Sequence, residues 1–186
     1  MDQKVIVTAG ASGIGAAIAE KFLSVGAQVH VADINPVDAS TEHPCLTSSL
    51  TDVSKEEQVA SLFETALEKM AGLTTLVNCA GIGFASRIVG RKGAHDFGLF
   101  TKVVTVNLIG TFNVTRLFAV DATQLDPLED NERGVVIMTA SVAAFDGQIG
   151  QAAYAASKGG IHSMTLPMAR EFADRGVRVC TIAPGI

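Results

Sequence analysis

The chain opens on Lys4–Thr8 (KVIVT), a short β-branched run that reads as a buried strand. It turns at once through Gly10-Ala11-Ser12-Gly13-Ile14-Gly15 into a segment with Ile14, Ile18, Phe22 and Leu23 at helical spacing, stopped at Gly26. A strand that feeds a helix so directly starts a crossover, because neighbouring parallel strands need a long connection between them. The pattern then repeats. Gln28–Ala32 reads as a second strand ending at Asp33, and a weaker third lies around Cys45–Ser49. Ser54-Lys-Glu-Glu57 has the form of a capping box, ahead of Val59, Leu62, Phe63, Ala66, Leu67 and Met70 at helical spacing. Thr75–Asn78 is a fourth strand running into Cys79-Ala80-Gly81.

Residues 84–98, rich in glycine and charge, read as a loop before a long helix through Phe100–Val120. Asp126–Arg133 is a solvated connection to a fifth strand, Val135–Thr139. A last helix begins near Tyr154, with Pro167 placed to kink or end it, and Val177–Ile182 is a sixth strand. Alternating units of this kind predict one doubly wound α/β domain over residues 1–186, a Rossmann-like parallel sheet in a three-layer α/β/α sandwich.

Composition agrees. Of 186 residues, 48% are hydrophobic and 18% charged, enough apolar surface for a large core and against global disorder. A net charge of −5 argues against nucleic acid or an anionic membrane as the main partner. No stretch approaches the roughly 18 uninterrupted apolar residues of a membrane span. The beginning has neither a signal-peptide layout nor an Arg-rich transit character, so cytoplasm is expected, with a mitochondrial matrix reached by unprocessed import left open. Cys45, Cys79 and Cys180 offer no disulfide framework, and His30, His43, His95 and His162 never fall at metal-ligand spacing, so no metal is expected.

Two clusters carry chemistry. In the first turn, Gly10, Gly13 and Gly15 let backbone N–H groups approach a pyrophosphate at a helix N-terminus. Asp33, at the end of the second strand, can accept hydrogen bonds from the adenosine ribose and would repel a 2′-phosphate; no Arg or Lys stands in Asp33-Ile-Asn-Pro-Val-Asp38 to clamp one. That favours NAD over NADP. In the second cluster, Tyr154-Ala-Ala-Ser-Lys158 sets a phenol and an ammonium four residues apart on one helical face. A free tyrosine, with a pKa of about 10, is a poor base at neutral pH, and a neighbouring cation favours its phenolate. Tyr154 is also the only Tyr in the chain. Ser141, just past the fifth strand, can reach the same substrate oxygen, and Asn107 can brace a water next to Lys158. Singly, each has an ordinary structural reading as a surface tyrosine, a strand-end serine or a helix asparagine.

Taken in order, Thr8…Gly13-Ile14-Gly15, Asp52-Val53, Asn78-Cys79-Ala80-Gly81, Asn107, Ser141, Tyr154-x-x-x-Lys158 and Pro184-Gly185 resemble the short-chain dehydrogenase/reductase family over nearly the whole chain. The resemblance implies Tyr154 as general acid/base and Lys158 as the cation that favours its phenolate and holds the nicotinamide ribose. It implies Ser141 as the group that orients the substrate oxygen, and Asn107 as support for a proton-relay water. Ser12 and Ile14 would meet the pyrophosphate, Asp33 the adenosine ribose, Asp52 and Val53 the adenine. Asn78, Cys79, Ala80 and Gly81 would pack along the cofactor, and Pro184-Gly185 would border the nicotinamide.

Asn78–Gly81, Val106–Asn113, Ala140–Gly160 and Thr165–Arg170 are further similar to the 3-hydroxyacyl-CoA dehydrogenase type 2 group of that family. This implies oxidation of 3-hydroxyacyl-CoA thioesters, and sometimes hydroxysteroids, with NAD, in a homotetramer; it also accounts for Pro167 inside a catalytic helix. A 3-oxoacyl-carrier-protein reductase, a general ketone or hydroxysteroid reductase and a nucleotide-binding scaffold subunit remain alternatives. The family's usual first glycine of this turn is replaced by Ala9, with Gly10 beside it. Members of the family continue past the Pro184-Gly185 turn through a substrate lid, another helix and a seventh strand, so a fragment or a truncated molecule is expected.

Overall fold

The structure, a computed structural model, describes residues 3–41, 43–91, 93–128 and 130–185. Six strands form one parallel sheet: β1 (Lys4–Thr8), β2 (Gln28–Asp33), β3 (Leu46–Leu50), β4 (Thr75–Asn78), β7 (Gly134–Thr139) and β8 (Val177–Ile182), in the order β3-β2-β1-β4-β7-β8. The chain walks outward from β1 to β3, then returns to β1's other side with β4 and walks outward again. The order thus reverses between β1 and β4, and that is where open α/β sheets hold ligands, beyond the strands' carboxyl ends.

Alternation along the strands divides the core. Val5, Val7, Val29 and Val31 face α1 (Gly13–Ser24) with Ala19 and Ala27. Ile6, Ala32, Leu76, Val136 and Met138 face the other way, onto α2 (Glu56–Met70) and α4 (Gly110–Ala122), which contribute Leu62, Val114 and the fully buried Phe118. Truncating a ring so enclosed costs about 3 kcal/mol or more.

Several local expectations are corrected. Ile14 is 59% exposed and lies off the face of α1 that buries Gly15 and Ala19. The capping box does not form: α2 starts behind Lys55, and the Ser54 hydroxyl donates to Asp52 Oδ1 at 2.7 Å. The segment 84–98 is more than a loop. It holds a two-residue hairpin, β5 (Val89–Gly90) against β6 (Gly93–Ala94), and the start of α3 (Phe97–Val104), whose first turn is capped by Asp96 Oδ1 accepting from Leu99 N at 2.7 Å. A π-helical turn, Thr105–Ile109, joins α3 to α4. By length and composition, Phe97–Ala122 has the apolar character of a membrane-crossing helix, with mean hydropathy 1.5, but half of that window is buried in this fold. Pro167 neither ends nor divides α5 (Ala152–Phe172), which runs on for five residues beyond it. The second strand runs one residue further, to Asp33, the fifth starts one residue earlier, at Gly134, and the third is shifted by one residue at both ends.

Candidate active site

The two halves of the sheet are stitched at the reversal point by Thr8. Its Oγ1, at the end of β1, accepts from both Cys79 N and Ala80 N at 3.0 Å, holding the segment after β4 against β1. Thr8 belongs to the motif, yet its role as a double acceptor was not foreseen. A hydroxyl at a strand end beside a second strand's last residues is the signal that could have suggested it.

The glycine turn follows directly. Ala9, and not Gly10, takes the left-handed conformation, with φ +51°, and its N–H donates to Ala32 O at 2.7 Å. Gly10 is needed for closeness instead: a Cβ there would lie 2.9 Å from both Val31 methyls. A Cβ on Gly15 would collide with Ala9 O, whereas Gly13, at φ +55°, faces open space. Ser12 sits at the N-cap with its hydroxyl making no capping bond, so the hydroxyl is free to meet an anion at the helix start. These are the features of a cradle for a diphosphate.

Asp33 is 6% exposed. Its Oδ2 accepts from Ala11 N at 3.0 Å and its Oδ1 from Asn35 N at 2.9 Å, so the carboxylate braces the glycine turn while keeping further lone pairs. Asp52 Oδ1 is occupied by Ser54 N and Oγ. The Val53 side chain is buried, in the core against Gly110, and its carbonyl accepts from Asn113 Nδ2, so only its backbone N–H remains to face a base. Asn78 likewise turns inward, donating to Thr115 Oγ1 on α4 at 3.1 Å.

A cleft of about 510 Å³ opens beyond the ends of β4 and β7, lined by Ile14, Cys79, Gly81, Thr139, Ser141, Tyr154, Lys158, Pro184 and Gly185 among others. Ser141 caps a 3-10 turn, Val142–Ala144, by accepting from Ala143 N at 3.1 Å, which leaves its own O–H unspent. Val142 N donates to Pro184 O and fixes the far wall. On α5, Tyr154 and Lys158 sit one turn apart, with Lys158 Nζ 5.7 Å from the Tyr154 ring centre. Lys158 is 4% exposed and donates to Thr139 O at 2.6 Å; burial pushes its pKa down to about 8, opposed by the charge of the nearby Cys79. Burial in turn pushes the Cys79 thiol up, with the Thr139 hydroxyl and Lys158 acting the other way.

Asn107 stands in the π turn, fully buried. Its Oδ1 accepts from Ile82 N at 2.7 Å, and its Nδ2 donates to Ile82 O at 2.9 Å and to Ser157 Oγ at 3.0 Å. Both amide hydrogens are therefore used by the protein, and neither is left for a water beside Lys158. Ser157 and the π turn were both missed from the sequence; a serine directly before the lysine was the one available signal. Gly81 runs past this group with no room to spare, since a Cβ would lie 3.3 Å from Asn107 Oδ1 and 3.5 Å from Lys158 Nζ.

Residues 3–186 match the family model of short chain dehydrogenases. The chain is 48% identical over 187 residues to 3-hydroxyacyl-CoA dehydrogenase type-2 of Bos taurus and 45% identical to that of Homo sapiens, in each case covering 97% of this chain and 72% of the relative. Sorbitol-6-phosphate 2-dehydrogenase of Klebsiella pneumoniae is 32% identical over all of this chain and 69% of its own length. The crystal structure of 3-hydroxyacyl-CoA dehydrogenase type-2 from Mycobacterium avium superposes with a TM-score of 0.91 at 37% identity, over 98% of this chain and 74% of that one. With the sheet order, the glycine turn and the tyrosine–lysine pair in one cleft, these likenesses show that the chain belongs to the short chain dehydrogenases, oxidoreductases that act on CH–OH donors with a nicotinamide cofactor.

Proposed function

We propose that this chain transfers hydride between a secondary alcohol, a 3-hydroxyacyl-CoA thioester before others, and NAD. The observation that carries the reading is the meeting of Ser141, Tyr154 and Lys158 in one cleft, beside a glycine turn. The turn fits a dinucleotide: a Cβ on Gly10 or Gly15 would collide with Val31 or Ala9 O and distort it, and the exposed Ser12 hydroxyl is uncommitted. Gly10, Ser12, Gly13, Ile14 and Gly15 would hold the pyrophosphate, and Asp33 the ribose of NAD, where a carboxylate disfavours the 2′-phosphate of NADP. When bound, the nicotinamide supplies the hydride acceptor.

The protein's own groups do the rest. Ser141, whose oxygen already accepts from Ala143 N, donates its free O–H to the alcohol oxygen and orients it. Tyr154 takes the alcohol proton as the carbonyl forms, and returns it in the reverse direction. Lys158 has one ammonium hydrogen on Thr139 O and two left, so it can meet ribose hydroxyls while its charge favours the phenolate. Asn107 contributes by holding Ile82 and the wall of the cleft. The acyl-CoA substrate is supported by the likeness to relatives bearing that name. Exposed apolar side chains on and beside α4 and α5, among them Ile109, Phe112, Val120 and Leu166, suit a homotetramer, and three unpaired cysteines suit the reducing cytoplasm.

The test is turnover of a short 3-hydroxyacyl-CoA with NAD by the wild type and Tyr154→Phe. The variant should lose about a hundredfold or more in kcat while binding NAD nearly as before. Unchanged turnover overturns the mechanism. Strict NADPH dependence with a carrier-protein substrate favours a reductase instead, and NAD binding without any turnover favours a scaffold.

A further inference from the structure

We propose that Ser157 is a positioning residue, which sets the orientation of the Asn107 amide and thereby the wall of the cleft beside Tyr154 and Lys158. The inference rests on the hydride-transfer reading above for its kinetic meaning, though its geometry stands apart from it. A serine inside a helix commonly bonds back to the preceding turn, and Ser157 does so, donating to Tyr154 O at 2.8 Å. That carbonyl can only accept. The single hydroxyl hydrogen of Ser157 is therefore committed, and toward Asn107 its oxygen can only accept as well.

A direction runs from there through the whole group. Asn107 must present Nδ2 to Ser157, at 3.0 Å, so Oδ1 faces the Ile82 N–H, at 2.7 Å. The second hydrogen of Nδ2 closes the ring on Ile82 O at 2.9 Å. Asn107 and Ser157 are both fully buried, so no solvent substitutes for either partner. The main chain is fixed too, since Asn107 O accepts from Thr111 Oγ1 at 2.7 Å.

The orientation matters because of what lies next to it. One point, the place of a Cβ on Gly81, is 3.3 Å from Asn107 Oδ1 and 3.5 Å from Lys158 Nζ. The amide thus turns its negative end toward the side where the ammonium sits. Flipped, it would turn N–H groups that way and lose the Ile82 N–H. The Ile82 N–H and C=O favour the same orientation, and the Ser157 hydroxyl is the third contact that holds it and ties it to α5.

The test compares Ser157→Ala with wild type in the intact protein. Amide hydrogen exchange at Ile82, read without cofactor or substrate, should accelerate about tenfold or more, as a lost buried hydrogen bond implies, with β1 amides unchanged. In turnover, kcat should fall about tenfold with KM for the alcohol within about twofold, and the pH profile should shift. Combined with Asn107→Ala, the serine change should add no further loss. Ser157→Thr, which keeps the hydroxyl, should hold Ile82 as wild type does; if Ser157→Ala does not fold, Asn107→Ala and Ser157→Thr give the contrast. Unchanged exchange at Ile82, equal loosening of β1, or losses that multiply in the double variant each overturn the proposal. A wild type inactive on every secondary alcohol sinks the function reading instead, and the exchange result still decides this one.

Discussion

Lys158 Nζ reaches Thr139 O across the cleft at 2.6 Å, from a side chain that is almost wholly enclosed. A cation held this way is kept for chemistry at the expense of stability. Its pKa, brought down to about 8 by burial, lies below that of the unfolded chain. Between that value and the ordinary lysine range, the unfolded state keeps a proton the native state has lost, so stability rises with pH through this window and the burden is full below it. Lys158→Met should therefore raise stability near pH 7 by up to about 3 kcal/mol, less what Thr139 O loses, and abolish turnover. Thermal melts of the two proteins from neutral to alkaline pH check this; the gap should narrow above pH 8.

His30 sets the acid limit. It is fully buried between β2 and β3, with Nδ1 2.8 Å from Thr47 Oγ1 and Nε2 3.0 Å from Ser49 Oγ, and burial lowers its pKa to about 4. The unfolded histidine takes up a proton near pH 6.5 and the native one does not, so stability is lost as pH falls from there to about 4, by about 3 kcal/mol in all. Urea titrations across that range should show the slope, and His30→Gln should flatten it.

Ala9 carries a backbone conformation that favours glycine. A left-handed alanine costs about 1–2 kcal/mol, part of which glycine returns through the greater freedom of its unfolded chain. Ala9→Gly should raise stability by up to about 1 kcal/mol and leave NAD affinity equal or better. Gly15→Ala, which collides with Ala9 O, should weaken NAD binding at least tenfold by about the measure of one lost anion contact. Calorimetry on both variants separates the effects; equal behaviour would refute the turn assignment.

Asp33 has two tasks that can be pulled apart. Asp33→Asn keeps an acceptor for Ala11 N but drops the charge. Preference for NAD over NADP, measured as a ratio of kcat/KM, should fall by about tenfold or more with little change in melting temperature, as loss of a repulsive charge implies. A large drop in melting temperature would mean that the brace on the turn dominates.

Strand–helix alternation was legible because period and composition alone specify it: three of the six sheet strands keep the bounds read from sequence, two gain one residue at an end, and one moves by one residue at both ends. Tyr154, Lys158 and Ser141 were legible as chemistry, and one cleft gathers them. What escaped was set by partners, near or far along the chain, that spacing alone does not select. The capping box failed because Asp52, not the helix end, captured the Ser54 hydroxyl. Asn107 looked like a residue facing water, and only the approach of Ile82 and Ser157, 25 and 50 residues away, shows it enclosed. Pro167, which by itself reads as a kink or an end but which the family resemblance allows inside a catalytic helix, does lie within α5, whose side chains on both sides of it pack in the core.

The π turn at Thr105–Ile109 takes up one residue more than an α-helix would need for the same path. Each residue advances an α-helix by about 100°, so the faces of α3 and α4 are offset by that extra step. Removing any one of these five residues would let the turn relax and rotate one half against the other. Either Asn107 would leave Ile82 and Ser157, or Val114 and Phe118 would leave the sheet. The number of residues in this stretch is thus under as much constraint as their identity.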